Sequence, residues 1–337
     1  MGVWANQVSS CILHPASRVL RLASCILLVA LFLSGEPVSP ALTLILAGDV
    51  MLGRGVAQAL GGEWEAAFAG VRPWLAGDES GATDRVLTFA NLESPLTAAP
   101  QVRGGHDLRA PPAAVAALRA AGLDAVSLAN NHALDAGQAG LHETVRTLYM
   151  AGIVPWMDGA SAAQDGEAAG GRTGALTYEG LAFDDSIVPL DLEAAGLAVA
   201  AAVRRSDVVI VSVHWGGEYQ AVPSARQQAI ARALAEAGAD VIAGHGPHVL
   251  QRVEWVEETL VAYSLGNFLF DQPYPEDCRW GAILHVTLRG GRAVAVEAFP
   301  TVAERGRVRP ADPDTAAAIC SRLGGNPYPC AAKEFER

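Results

Sequence analysis

Short apolar runs recur along this chain with helix-like stretches between them, and this alternation restricts the fold more than any other feature. "LTLILA" (Leu42–Ala47), "AVSLA" (Ala125–Ala129), "VVIVSV" and "DVIAG" are nearly continuous, as strands covered on both faces must be. Between them, "PPAAVAALRAAG" places Pro near its start and Gly122 just past its end, the expected punctuation of a helix. "AGLHETVRTLYMAG" and "SARQQAIARALAEAG" read as further helices. Strand–helix alternation with buried strands predicts an α/β layered fold. "ETLVAYSLGNFLF" and "GAILHVTLR" read as a closing pair of strands, whereas residues 159–197 are Ala/Gly-rich and predict a loop with short elements. No internal repeat or linker appears. The pattern predicts one domain over residues 42–305, with residues 306–337 as a decorating C-terminal extension.

The chain has 337 residues, 51% of them hydrophobic, enough for a sizeable core. Acidic residues outnumber basic ones by 36 to 24, and no Lys/Arg-rich run occurs, which argues against a nucleic-acid partner. The first 41 residues differ from the rest. Arg18 and Arg21 precede an apolar run from Leu22 to Leu33, followed by small residues including Ser39 and Ala41. That is the layout of a secretory signal, and the run is short for a membrane span. The expectation is an exported protein, periplasmic or extracellular, with an uncleaved N-terminal anchor as the alternative. Export would permit a disulfide between Cys320 and Cys330, which bracket a Gly/Pro-rich loop; two free thiols are the other reading.

Five of the strand-like runs end in residues able to bind metal: Asp49; Glu93, with Asn91; Asn131 and His132; His214; and His245 with His248. Taken singly, each has an ordinary explanation. Asp49 after a glycine suits a turn, Asn130 a backbone hydrogen bond, and His214 beside Trp215 a bonded core histidine. Repetition at five strand ends favours function, because ligands of α/β sheets bind outside the carboxyl ends of strands. Carboxylate, amide oxygen and imidazole suit divalent Mn, Zn or Fe, and the missing thiolates argue against a soft metal. A carboxylate such as Glu93 has two oxygens with which to bridge two ions. No G-x-S-x-G elbow, P-loop or dinucleotide glycine fingerprint is present. Metal-assisted hydrolysis is the chemistry these residues favour.

"GDVMLGRG", "FANLESPLT", "LRAPP", "SLANNHALDAG", "VSVHWGGEY", "GADVIAGHGPHVLQRVE" and "YSLGNFLFDQ", in this order, resemble the CapA/PgsA family. This family is named for poly-γ-glutamate capsule synthesis and belongs to the calcineurin-like metallophosphoesterase superfamily. The resemblance implies a four-layered α/β/β/α sandwich with two mixed sheets packed between helices. It also implies one or two divalent metal ions held by Asp49, Glu93, Asn131, His214, His245 and His248. In that scheme Glu93 takes the bridging position, His132 is the general acid, and Asp135 orients it. Arg54, Arg109 and Asn267 fall on other motif positions and are assigned to substrate contact, since Arg suits bidentate phosphate or carboxylate binding.

Departures from the superfamily pattern are also visible. Met51 stands where the first motif has a histidine, the bridging acid is Glu rather than Asp, and the last pair is His-x-x-His. Ala133 replaces the acid that usually follows the catalytic histidine. Three functional expectations result. The first is a phosphoester hydrolase acting in capsule or cell-envelope polymer metabolism. The second is a non-catalytic accessory subunit of a membrane-bound poly-γ-glutamate synthase or exporter, binding the anionic polymer. The third is an amide hydrolase of that polymer.

Overall fold

The structure is a computed structural model, which describes residues 42–76, 84–157, 170–173, 176–324 and 330. The N-terminal segment expected to be a signal or anchor lies outside them. Among the described residues, fourteen strands form two mixed sheets. The eight-stranded sheet contains β1 (Leu42–Val50), β2 (Asp84–Leu92), β3 (Ala125–Ser127), β4 (Val154–Trp156), β11 (Asn267–Leu269), β12 (Trp280–Arg289), β13 (Arg292–Glu304) and β14 (Arg307–Pro310). Its order is β14-β13-β12-β1-β2-β3-β4, with β11 paired to β1. The six-stranded sheet contains β5 (Gly170–Thr173), β6 (Leu176–Asp184), β7 (Val208–His214), β8 (Val241–His245), β9 (Val253–Val256) and β10 (Thr259–Ala262), in the order β5-β6-β7-β8-β10-β9.

The side-chain alternation of the strands builds four layers. Leu44, Leu46, Phe89, Ile210, Ala243 and Leu260 point between the sheets and form the central core. Ile45, Val50, Ala90, Leu92 and Val126 point the other way. There they meet α1 (Arg54–Leu60), α2 (Arg72–Ala76), α3 (Val115–Ala121) and α4 (Gly137–Met150) through Val56, Leu75, Leu118 and Leu148. On the opposite side, Val209, Val211, Val213 and Ile242 pack on Val199 of α5 (Leu192–Val203) and on Ile230 and Leu234 of α6 (Ala225–Glu236). The fold is a four-layered α/β/β/α sandwich with two mixed sheets, as the resemblance implies. Helix boundaries follow local chemistry. Ser224 and Gln227 form a reciprocal capping box at the start of α6, and Gly122 closes α3 with φ +75°.

Three expectations change. Residues 159–197 contain the nine-residue strand β6 and the first half of α5 rather than a loop. The run "ETLVAYSLGNFLF" is not one strand: β10 belongs to the six-stranded sheet and β11 to the eight-stranded one, so the chain crosses between sheets at residues 263–266. The tail is not decoration either. β14 pairs with β13, and α7 (Pro313–Leu323) buries Ile319 and Leu323 in the core between the sheets. Cys320 of α7 is disulfide-bonded to Cys330.

Gly180 on β6 accounts for part of the first of these differences. Trp156 stacks on Phe89 with ring centroids 4.3 Å apart, and its indole lies flat over Gly180. A Cβ there would come within 2.1 Å of the ring. A glycine that looks like a breaker in sequence is thus what lets the two sheets close on a tryptophan. Gly180→Ala should cost about 1–3 kcal/mol through overpacking, measured as a lower urea midpoint at unchanged m-value.

Candidate metal centre

Strand register assembles the polar cluster. β1, β2 and β3 run parallel, as do β6, β7, β8 and β10, so in each sheet the carboxyl ends lie on one edge. Leu87 and Phe89 point into the core between the sheets; Asn91 and Glu93 continue that face at the same two-residue interval. Ile210 of β7 and Ala243 of β8 point there too, and their strands end in His214 and His245, which lie opposite each other in register. Asp49 reaches the face by another route. Along β1 the odd residue Ile45 faces the helices, and simple alternation would send Asp49 after it. Between Leu46 and Asp49 the register with β2 shifts: Leu46 pairs Phe89 and Asp49 pairs Asn91, three steps against two. This extra residue turns Asp49 to the side where the histidines stand.

Asp49 is fully buried. Its Oδ1 accepts from Asn91 Nδ2 at 2.9 Å, and its Oδ2 accepts from the Gly246 N–H at 3.3 Å. His245 Nδ1 lies 3.2 Å from Oδ1, and His248 Nδ1 lies 3.4 Å from Oδ2. Glu93 Oε1 is 3.6 Å from His214 Nε2, and Glu93 Oε2 is 3.7 Å from His248 Nδ1. One ligand atom each from Asp49, Glu93 and His248 falls within 4.8 Å of the others. Gly246, at φ +103°, permits the close approach: a Cβ would stand 3.0 Å from His214 Nε2.

Several of these atoms are buried without a hydrogen-bond partner: both Glu93 oxygens, Asn131 Oδ1, His214 Nδ1 and both His245 nitrogens. The hydroxyls of Ser212 and Thr301 complete the set among the described residues. Leaving such groups dry and unpaired costs about 1–3 kcal/mol apiece, and more for a charge. The concentration of the Glu93, His214 and His245 atoms in one spot fits a cation. Oxygen and imidazole donors, two carboxylates and no thiolate suit a divalent ion of the Mn, Zn or Fe kind.

The electrostatics are strained in the same sense. Burial pushes the Glu93 carboxyl up to about 8, against the opposing pull of the His248 charge, and the negative charge of Asp49 adds to the rise. Burial also drives His214 down to about 3. His248 would be lowered by burial, but the charges of Glu93 and Asp49 outweigh it and raise it to about 9. For Asp49, burial works upward, yet the His245 and His248 imidazoles beside its two oxygens hold it below the ordinary carboxylate range.

His132 sits on the rim, with Nδ1 2.8 Å from Asp135 Oδ2, so the expected orienting pair is in contact. Asn130 Nδ2 donates to Asn91 Oδ1 (3.1 Å) and to the Leu92 carbonyl (2.9 Å), and its Oδ1 accepts from the His132 N–H (3.1 Å). The backbone role expected of Asn130 is therefore only part of what it does. Met51 is wholly buried in the outer core, as its apolar character suggests. A cleft of ≈ 310 Å³ lined by Arg54, His132, His248, Tyr219, Phe270 and Gln272 opens beside the cluster.

The three residues assigned to substrate contact fare differently. Arg54 lines the cleft, but its guanidinium is paired bidentately with Asp271. Arg109 is committed to Asp107 at 2.8 Å and to the Ala99 carbonyl, where it braces a loop. Asn267 is fully buried: its Oδ1 lies 3.0 Å from His248 Nδ1, and its Nδ2 donates to Gln272 Oε1 (3.0 Å) and the Cys278 carbonyl (2.9 Å). It orients a histidine instead of meeting substrate. Gln272, the last residue of the "YSLGNFLFDQ" motif and one to which sequence reasoning gives no role, continues that chain to the Tyr219 hydroxyl at 3.3 Å.

The opposed shifts give a pH dependence for metal-free protein. With Glu93 at about 8 against 4.5 unfolded, the folded state binds the extra proton between those values. His248 does the same between 6.5 and about 9. Stability should therefore fall as pH rises from about 6.5 to 9. Glu93→Gln should flatten this fall by at most about 1.4 kcal/mol per pH unit, the value for one proton. Thermal melts in chelator across that range, with and without the substitution, measure it; a wild-type profile that rises with pH would contradict the assignment.

The family model of the bacterial capsule synthesis protein PGA_cap matches residues 43–272. The chain is 28% identical to capsule biosynthesis protein CapA of Bacillus anthracis, over 80% of this chain and 69% of that protein. It is 31% identical to PGA biosynthesis protein CapA of Bacillus subtilis, over 67% of this chain and 62% of that one. A probable polyglutamine synthesis accessory protein of Mycobacterium tuberculosis is 29% identical over 71% of this chain and 76% of its own length. Among solved structures, a hypothetical protein from Thermus thermophilus shares 17% identity over 77% of this chain and 98% of its own, with a TM-score of 0.49. With most of its described fold and every residue of the polar cluster inside the matched segment, this chain belongs to the CapA family of bacterial capsule synthesis proteins.

Proposed function

We propose that this chain is an exported, metal-dependent phosphoester hydrolase acting in capsule or cell-envelope polymer metabolism, with poly-γ-glutamate as the polymer. The observation that carries the chemistry is the set of unpartnered buried donors on Glu93, Asn131, His214 and His245. The polymer comes from the names of the relatives, two of which concern capsule or PGA biosynthesis. Export is supported by the leader-like first 41 residues and by the Cys320–Cys330 disulfide, which suits an oxidising compartment. Among the described residues, no helix is long and apolar enough to cross a membrane.

Asp49, Glu93, Asn131, His214, His245 and His248 would hold one or two divalent ions. A divalent ion bound there supplies Lewis-acid polarisation of a phosphoryl oxygen and a lowered pKa for water. The remaining work falls to the chain. His132, held at Nδ1 by Asp135, keeps its other nitrogen for a proton and donates it to the leaving oxygen. The Asn267 amide fixes the ring of His248, as hydrogen-bond partners of metal-binding histidines do. Dry packing of the sandwich below the cluster keeps water to the cleft side.

A second reading, the non-catalytic accessory subunit beside a membrane synthase or exporter, has two observations in its favour. Met51 occupies the place of a superfamily ligand and is turned into the core. The relative from Mycobacterium tuberculosis is named an accessory protein. Amide hydrolysis of the polymer would use the same activated water.

Protein loaded with Mn or Zn should hydrolyse an aryl phosphodiester or monoester. His214→Ala should lose both metal and activity. His132→Ala should retain metal while kcat drops by about 10²–10⁴-fold, the usual worth of a positioned acid. Absence of divalent metal from wild-type protein by elemental analysis would sink the hydrolase. Metal without turnover on phosphoesters, together with loss of extracellular anionic polymer in a deletion strain, would favour the accessory reading.

A further inference from the structure

We infer that Asn91 and Asn130 form a directional hydrogen-bond relay from the Asp49 carboxylate to the backbone of His132, and that this relay positions the Asn131–His132 loop over the metal cluster. The inference rests on the metal-centre reading for its functional consequence, but the relay itself stands on geometry.

Three links run in one direction, with a side branch to the Leu92 carbonyl. The His132 N–H donates to Asn130 Oδ1 at 3.1 Å. Asn130 Nδ2 donates to Asn91 Oδ1 at 3.1 Å and to the Leu92 carbonyl at 2.9 Å. Asn91 Nδ2 donates to Asp49 Oδ1 at 2.9 Å. Amide groups can be turned end for end, so their orientation needs a reason. Here both ends of the chain are fixed by chemistry. A backbone N–H can only donate, and an ionised carboxylate can only accept. With those ends fixed, just one orientation of each amide satisfies every bond; turning either one sets oxygen against oxygen or N–H against N–H.

Burial makes the relay costly to break. Asn91 and Asp49 have no exposed surface, and Asn130 is 6% exposed. No water can replace a lost partner, and a dry network loses more than the sum of its pairs. The relay also spans three adjacent strands. Asp49 is the next-to-last residue of β1, Asn91 lies opposite it in register on β2, and Asn130 follows β3. The loop after β3 has only a short strand behind it, Ala125–Ser127, so its placement depends on side-chain anchors. Arg103 Nη1, donating to the Asn131 carbonyl at 3.1 Å, is a second anchor, on the exposed side. Asn130 is the inner anchor. It stands between a metal-binding acid and the residue next to a metal-binding amide, so movement of one is felt by the other.

The test uses the full chain, labelled with ¹⁵N, and reads amide exchange at His132 together with Mn²⁺ affinity and turnover. Asn130→Ala should speed His132 amide exchange by about tenfold, the worth of one buried hydrogen bond. Asn91→Ala touches no atom of His132 and leaves the Leu92 carbonyl holding the Asn130 amide, so it should speed that exchange less than Asn130→Ala does, while lowering Mn²⁺ affinity through the partner lost by Asp49. Asn130→Asp is isosteric and covers the case in which the alanine variants fail to fold. It keeps the acceptor for His132 and loses the donor to Asn91, so the His132 amide should stay protected while Mn²⁺ affinity falls by about 10–100-fold. In active protein, turnover per folded, metal-loaded molecule should drop with KM unchanged, whereas mere loss of stability lowers the active fraction and leaves the turnover of each folded molecule as it was. His132 exchange unchanged in Asn130→Ala, or Mn²⁺ affinity unchanged in Asn130→Asp, would overturn the relay. Wild-type protein that binds no Mn²⁺ but shows the exchange pattern would remove the hydrolase reading and leave the relay as the loop's anchor.

Discussion

A carboxylate with no exposed surface at the mouth between two sheets is the constraint on which the rest depends. Taking an ion of this size out of water costs several kcal/mol even after relaxation, and good geometry on every side is needed to offset it. Asp49 has that geometry: the Asn91 amide on one oxygen, the Gly246 N–H on the other, and two imidazoles within 3.4 Å. Each partner imposes something on the fold. The β1 bulge aims the acid, the left-handed Gly246 turns the β8 loop back over it, and the registers of β1 with β2 and of β7 with β8 bring the other strand ends level.

Much of this could be read from the sequence because one rule generates it. A strand covered on both faces shows a nearly unbroken apolar run, and a polar residue at its carboxyl end stands out for lack of any packing reason to be there. Asn91, Glu93, His214 and His245 continue the core-facing alternation of their strands, so their convergence follows once the strands are parallel and the sheets stacked. Asp49 was legible by the same anomaly, although its direction was not. Alternation alone points it at the helices, and only pairing with β2 discloses the extra residue.

What escaped the sequence depended on partners far away in the chain. Gly180 looks like a strand breaker until Trp156, in the other sheet, is seen lying on it. "ETLVAYSLGNFLF" has the composition of one strand, and nothing local tells that its two halves pair with different sheets. Arg109 has the chemistry to bind phosphate, but Asp107, two residues away, and the Ala99 carbonyl use it first. Asn267 lies on a motif and was expected to face substrate, whereas the Cys278 carbonyl and Gln272 take its amide hydrogens and turn its oxygen toward His248. Residue type gave the chemistry in each case; competition among neighbours decided where it was spent.

The donors are divided between the layers, and this division ties metal binding to the packing of the sandwich. Asp49, Glu93 and Asn131 come from the eight-stranded sheet, while His214, His245 and His248 come from the six-stranded one. An ion among them would join the sheets at the end where their shared apolar core stops. Affinity for such an ion would depend partly on sheet spacing, which the contact of Trp156 on Gly180 and the stack of Phe89 on Trp156 hold from within. The same division bears on Met51. Its side chain belongs to the outer core beneath the helices, with Sδ 3.1 Å from the Gly53 N–H, and not to the mouth between the sheets. The imidazoles that stand beside Asp49, those of His245 and His248, come from the opposite sheet. That is the position in which Asn267, reaching across from β11, holds His248 in place.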